Sequence, residues 1–137
     1  MDADVVASLA KVTLEGSLPF PEIVGKLIAE GVEYYHVDYA ASAFTFYGES
    51  GSVVVADVPF EGLPPVSEAF DLAALKAAIL DSQQHGQKFH PLCERAVGAG
   101  VGGYFAFLRG KRVLYLGRQG DQHAAWLPGA GPDVPGK

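Results

Sequence analysis

The sequence predicts an α+β fold: an internal duplication of a helix-helix-three-strand unit, its antiparallel sheet or sheets backed by helices. Three observations predict it. Positions 20–54 match positions 89–123 without a gap at a spacing of 69, with Phe20, Gly31, Val32, Tyr35, Gly48 and Gly51 identical to Phe89, Gly100, Val101, Tyr104, Gly117 and Gly120. In each copy a helical stripe of apolar residues stops at a glycine and an alternating pattern begins. Each alternating region then closes on a glycine turn, Gly48-Glu49-Ser50-Gly51 in the first and Gly117-Arg118-Gln119-Gly120 in the second.

Residues 4–13 read as the first helix, with Val5, Val6, Leu9 and Val12 along one stripe. Residues 17–20 break it. Pro21 suits the first turn of a second helix, where no intrahelical N–H bond is lost, and Glu22 suits the positive end of that helix. Ile23, Val24, Leu27 and Ile28 form its buried face, and Gly31 supplies a left-handed stop. From residue 32 the period changes to two, placing Tyr35, Val37 and Tyr39 on one strand face and Tyr34, His36 and Asp38 on the other. Residues 43–47 and 52–58 supply the second and third strands. Pro59, Gly62, Pro64 and Pro65 mark a linker. Asp71 can cap a helix over residues 72 to about 84, with Leu72, Leu75 and Ile79 at helical spacing. Leu92, Cys93, Ala96 and Val97 repeat the second stripe up to Gly100.

Strands recur at 101–108, 112–116 and 121–126. Here the face equivalent to Tyr34, His36 and Asp38 carries Gly103, Phe105 and Phe107. A single domain over residues 1–128 is expected, with pseudo-repeats at about 4–58 and 71–127, and the Gly/Pro-rich residues 129–137 read as a flexible tail.

Composition bounds the function classes. Hydrophobic residues make up 49% and charged residues 19% of the 137-residue chain, which excludes a disordered segment or a coiled coil and suffices for a core. No apolar run reaches the roughly 18 residues that span a bilayer, and Asp2 and Asp4 stand where a signal peptide carries basic residues. A soluble cytoplasmic protein without a membrane role is the expectation. Cys93 is the single cysteine, so no disulfide framework or cysteine-rich zinc site is available. The net charge of -6 argues against general nucleic-acid binding. Residues 1–69 hold 2 basic and 11 acidic side chains, residues 70–137 hold 8 and 5, so the halves carry -9 and +3. Opposite halves attract each other within one chain or between two copies in a homodimer.

Tyr34, His36 and Asp38 are the most suggestive group, because alternate strand residues lie roughly 7 Å apart on one face and an imidazole and a carboxylate can meet there at a ligand or a metal. The competing reading is a solvated sheet face. His123 follows the second glycine turn, and with His36 and Asp38 it makes a conceivable two-His, one-carboxylate metal or catalytic site. Tyr47 and Arg118 complete the candidate ligand-binding residues. Arg109, Lys111, Arg112 and Arg118 read either as an anion-binding patch or as hairpin solubility and edge protection. The glycines from Gly98 to Gly103 follow a helix and precede a strand, the reverse of a dinucleotide fingerprint. Cys93 lies on a buried stripe and reads as a small hydrophobe. No residue pattern points to a cofactor.

The stretches PFPEIVGKLIAEGVEYYHVDY, TFYG and GGYFAFLRGKRVLYLGRQGDQH resemble a family of uncharacterised bacterial and prophage-borne proteins, a domain of unknown function sometimes labelled phage envelope protein. The resemblance covers about residues 5–127 and rests on Tyr35, His36, Val37, Asp38, Tyr47, Gly48, Tyr104, Tyr115, Gly117, Gly120 and His123. It implies no activity and no catalytic residue. Leu116 departs from the family pattern, which has a second aromatic before the glycine turn. The first functional expectation is a small ligand- or partner-binding module using the polar strand face of the first repeat. The second is an enzyme or metal protein built on His36, Asp38 and His123, and the third a structural or regulatory interaction protein, phage-related in origin.

Overall fold

The computed structural model describes residues 1–60, 62–85 and 89–127. The element order is α1 (Ala3–Glu15), α2 (Phe20–Ala29), β1 (Val32–Asp38), β2 (Ala43–Gly48), β3 (Val53–Asp57), α3 (Leu72–His85), α4 (Phe89–Gly98), β4 (Val101–Phe107), β5 (Arg112–Gly117) and β6 (Gln122–Trp126). This is the α+β architecture expected, with helices on one face of an antiparallel sheet. The tail expected at residues 129–137 lies outside the described residues.

The helices begin and end where local chemistry demands. The Asp2 carboxylate accepts the N–H groups of Asp4 and Val5 at 3.0 and 3.2 Å, and Asp71 accepts that of Ala74 at 3.0 Å. Gly16, with φ 70°, ends α1 in the left-handed conformation. After α2 and α4 the chain turns into its strand through Gly31 and Gly100, with φ 85° and 92°.

Sequence alone leaves open whether the two meanders join. They do, as one six-stranded sheet in the order β3-β2-β1-β4-β5-β6. The first strands of the two units pair antiparallel at its centre, with Tyr35 opposite Ala106 and Val37 opposite Tyr104. The halves match in detail at the 69-residue spacing. Both central strands carry a register shift near their start, at Val32/Tyr34 and Val101/Gly103. Both first hairpins place a non-glycine residue at positive φ, Ser42 at 54° and Lys111 at 59°.

Tyr35, Val37, Phe44, Phe46, Tyr104, Ala106 and Val113 point under the helices and form the core with Val6, Leu9, Ile23, Leu27, Leu75, Cys93 and Val97. The opposite sheet face has no helix packed on it among the described residues. Arg109, from the β4–β5 turn, reaches the carboxylates of Glu33 at 3.3 Å and Glu49 at 2.6 Å, joining the basic half to the acidic one. No helix is long and apolar enough to cross a membrane among the described residues.

Candidate functional site

Residues directly opposite in neighbouring strands share a sheet face. Tyr34 lies opposite Tyr47 and Phe107, His36 opposite Thr45 and Phe105, and Asp38 opposite Ala43 and Gly103. Tyr34, His36 and Asp38 therefore share the open face, as their spacing predicts, and the β1–β2 register adds Tyr47 to it. The polar face of β1 abuts the aromatic face of β4, and together they build a ladder of rings. Tyr47 stacks on Tyr34 with centroids 4.5 Å apart, Tyr34 on Phe107 at 5.6 Å, Phe107 on Phe105 at 5.9 Å and Phe105 on His36 at 4.4 Å. Ring faces that would stack a ligand are largely spent on one another. Asp38 has a local duty as well, its Oδ1 accepting the Ala41 N–H at 3.0 Å and bracing the β1–β2 hairpin.

His123 does not join them. It lies opposite Tyr115, which lies opposite Tyr104, which lies opposite Val37, so it belongs to the helical face of the sheet. The expected convergence of His36, Asp38 and His123 is corrected by strand parity: the sheet itself separates the two imidazoles. Among the described residues no group of three or more His, Cys, Asp or Glu side chains is placed to hold a metal ion. The His123 ring stacks on Tyr115 at 6.4 Å, and partial burial, then the nearby Lys76 ammonium, lower its pKa from the ordinary imidazole value.

The four basic residues do not form one patch. Arg118 lies in the β5–β6 turn, where its guanidinium donates to the Val66 carbonyl at 3.3 Å, while Arg109, Lys111 and Arg112 sit at the other end of β5. Arg109 is taken up by its two glutamates, and Arg112 lies 4.3 Å over the Trp126 ring. The glycines before β4 have a packing role. A Cβ on Gly100 would meet the Ala69 carbonyl of the linker returning across this corner.

A different site opens on the helical side. A cavity of about 570 Å³ lies between the end of α1, the α1–α2 connection, α3, α4 and the floor of β4 and β5. Leu18, Phe20, Ile23, Leu75, Ile79, Phe89, Leu92 and Val113 supply apolar wall, and Thr13, Ser17, Ser82, Tyr39, Tyr104 and Tyr115 supply hydroxyls. Its origin is visible when the halves are superimposed by number. In the first unit α1 packs on β3, whereas α3 packs chiefly on α4. Where the first unit has Phe44, fully buried against Phe46, Phe60 and Phe89, the second has Val113. Tyr115 stands where the first unit has Phe46. The counterpart of Phe60 is Gly129, outside the described residues.

The tyrosines beside the cavity are held neutral. Burial raises the pKa of Tyr39, Tyr104 and Tyr115 above the ordinary phenol value, because a phenolate there would lose its hydration. Tyr104 hydrogen-bonds Tyr35, and the Tyr39 hydroxyl donates to the Cys93 thiol. Burial pushes that thiol up to about 12, with the Tyr39 hydrogen bond opposing the rise, so Cys93 is the inert core residue its position on the stripe predicts. No hydrogen bond to the Tyr115 hydroxyl is made among the described residues.

The cavity residues escape a motif search because they are ordinary core types drawn from seven elements and the connections between them. The one available signal is the Phe44 to Val113 difference between the aligned copies, a loss of volume at a core position. Compared with known proteins, the chain matches no family model and, at a significant level, no curated protein sequence.

Proposed function

We propose that this chain is a binding module for a small, largely apolar molecule held in the cavity over β4 and β5. The cavity carries the reading: its volume of about 570 Å³ falls within the roughly 300–1,000 Å³ of small-molecule sites, which are mostly apolar with a few placed polar groups. Protein interiors are otherwise packed to crystal density, and unfilled space forfeits dispersion contacts. The first unit, built from the same elements, closes the corresponding space with aromatic side chains. The resemblance to a family of bacterial and prophage-borne proteins stands beside this proposal and brings no activity to it.

A second reading, a protein partner on the open face, is favoured by one observation. Val53 and Val55 on the edge strand β3 are 54% and 61% exposed beside the ring ladder. Thermal-shift screening of a fragment library against the parent, Val113→Phe and His36→Ala separates the two. Cavity binding predicts that hits stabilise the parent and His36→Ala alike, by about 2–3 kcal/mol at a roughly hundredfold excess over Kd, and that Val113→Phe loses them. Hits that survive Val113→Phe and vanish in His36→Ala move the site to the open face. A screen with no hits on the parent sinks the cavity reading.

A further inference from the structure

Thr13, Ser17, Ser82, Tyr39, Tyr104 and Tyr115 bring hydroxyls to the cavity wall, and Trp126, whose indole N–H is a donor, also borders it. Among the described residues no Asp, Glu, Lys, Arg or His belongs to the wall. A carboxylate or ammonium entering such a space sheds its water and meets no opposite charge, a penalty that neutral groups escape. The hydroxyl protons are unequally committed. Thr13 donates to the Leu9 carbonyl at 2.8 Å, continuing its helix, and Tyr39 donates to Cys93. Tyr104 is engaged with Tyr35. Tyr115 alone among the three cavity tyrosines has no hydrogen bond to a described residue; with Ser17 and Ser82 it is one of the wall's uncommitted donors, and of these it is the one on the sheet floor, on the same strand as Val113.

We infer that the cavity takes an uncharged ligand with an apolar, ring-sized body and a hydrogen-bond acceptor, a carbonyl or ether oxygen, that receives the Tyr115 hydroxyl proton. This rests on the cavity being the binding site. Tyr115 is partly buried and no buried side-chain polar atom among the described residues lacks a partner, so its hydroxyl is within reach of solvent in the free protein. A ligand acceptor exchanges a bond to water for one made inside an apolar wall. An acceptor-free hydrocarbon fills the same walls and offers no such bond. An anion brings a stronger acceptor but no counter-charge.

Three compounds on one skeleton test this: acetylnaphthalene, isopropylnaphthalene and naphthoate, measured by isothermal titration near neutral pH against the parent, Tyr115→Phe and Val113→Phe. Tyr115→Phe restores the residue type that the first unit carries at Phe46, so its packing has a precedent in the same fold. The ketone is expected to bind the parent about fivefold tighter than the hydrocarbon, the worth of one hydrogen bond. The carboxylate is expected to bind on the order of a hundredfold weaker than the ketone, as an unpaired ion in an apolar site should. Tyr115→Phe abolishes the ketone's advantage while the hydrocarbon binds as before. A carboxylate that binds as tightly as the ketone, or a ketone advantage that persists in Tyr115→Phe, overturns the assignment of ligand class and leaves the cavity reading intact. Binding of none of the three to the parent, or equal binding to Val113→Phe, overturns the cavity reading and this inference with it.

Discussion

Phe44 and Val113 hold the same place in two units that repeat helix for helix and strand for strand, and the helical layer closes over one and stands open over the other. Around Phe44 the rings of Tyr35, Phe46, Phe60 and Phe89 lie within 6.3 Å centroid to centroid. Around Val113 the wall is built from Tyr104, Tyr115, Leu75 and Ile79 and encloses about 570 Å³. Because the backbone registers match, the difference cannot be assigned to topology. It lies in side-chain volume and in where the first helix of each unit packs. The first unit thus shows what the fold looks like when its core is filled.

That contrast is broken most severely by truncation. Phe44→Ala is expected to destabilise the protein by about 3–5 kcal/mol, since a fully buried ring leaves a void in rigid surroundings. Val113→Ala enlarges a space that already exists and is expected to cost no more than about 1.5 kcal/mol, the transfer value of two methyl groups. Urea unfolding of both variants measures the gap. Equal losses would mean that the wall around Val113 is packed as tightly as its counterpart.

The two corner glycines sharpen the comparison at a smaller scale. Gly31 and Gly100 share a positive φ, but a Cβ on Gly31 meets nothing within 4 Å, while one on Gly100 strikes the Ala69 carbonyl and the backbone at Phe70. Gly31→Ala is expected to cost about 1–2 kcal/mol, the strain of a left-handed alanine. Gly100→Ala carries the same strain and a backbone clash, so its loss in urea unfolding should be larger by at least about 1 kcal/mol. Similar values at both sites would show that the linker at Ala69 gives way freely.

Much of the fold is legible in the chain because its signals are local. Helix stops at Gly31 and Gly100, the alternation after them and the caps at Asp2 and Asp71 each depend on a few neighbouring residues. The joining of β1 to β4 is not local, and nothing in either strand names its partner. Of the candidate residues, Tyr34, His36 and Asp38 are brought to one face by period-two geometry, which a sequence reveals, while Tyr47 joins them through the pairing of β2 with β1. The separation of His123 from His36 was legible through the repeat: the counterpart of His123 is Val54, opposite Phe46 on the core side, whereas the counterpart of His36 is Phe105 on the open side. The cavity is harder to read. It is made by volume that is missing, and patterns of residues record what is present.

His123 and Val54 provide the last and smallest test of what divides the halves. Both sit on the helical side of a third strand, but only His123 titrates. Its folded pKa is lowered by burial first and by Lys76 second, so the unfolded chain binds the proton more tightly. Stability from this residue is complete above the unfolded value of about 6.5 and declines as pH falls below it, until the folded form is also protonated. His123→Gln should remove that decline and leave stability above neutrality nearly unchanged, while Lys76→Gln should only weaken it, since desolvation is the larger cause. Denaturant titrations of the three proteins across this window decide the point. If the Lys76 variant flattens the profile as fully as the His123 variant, charge repulsion and not burial governs the imidazole. The second unit's side of the sheet would then be wetter around β6 than a buried counterpart of Val54 requires.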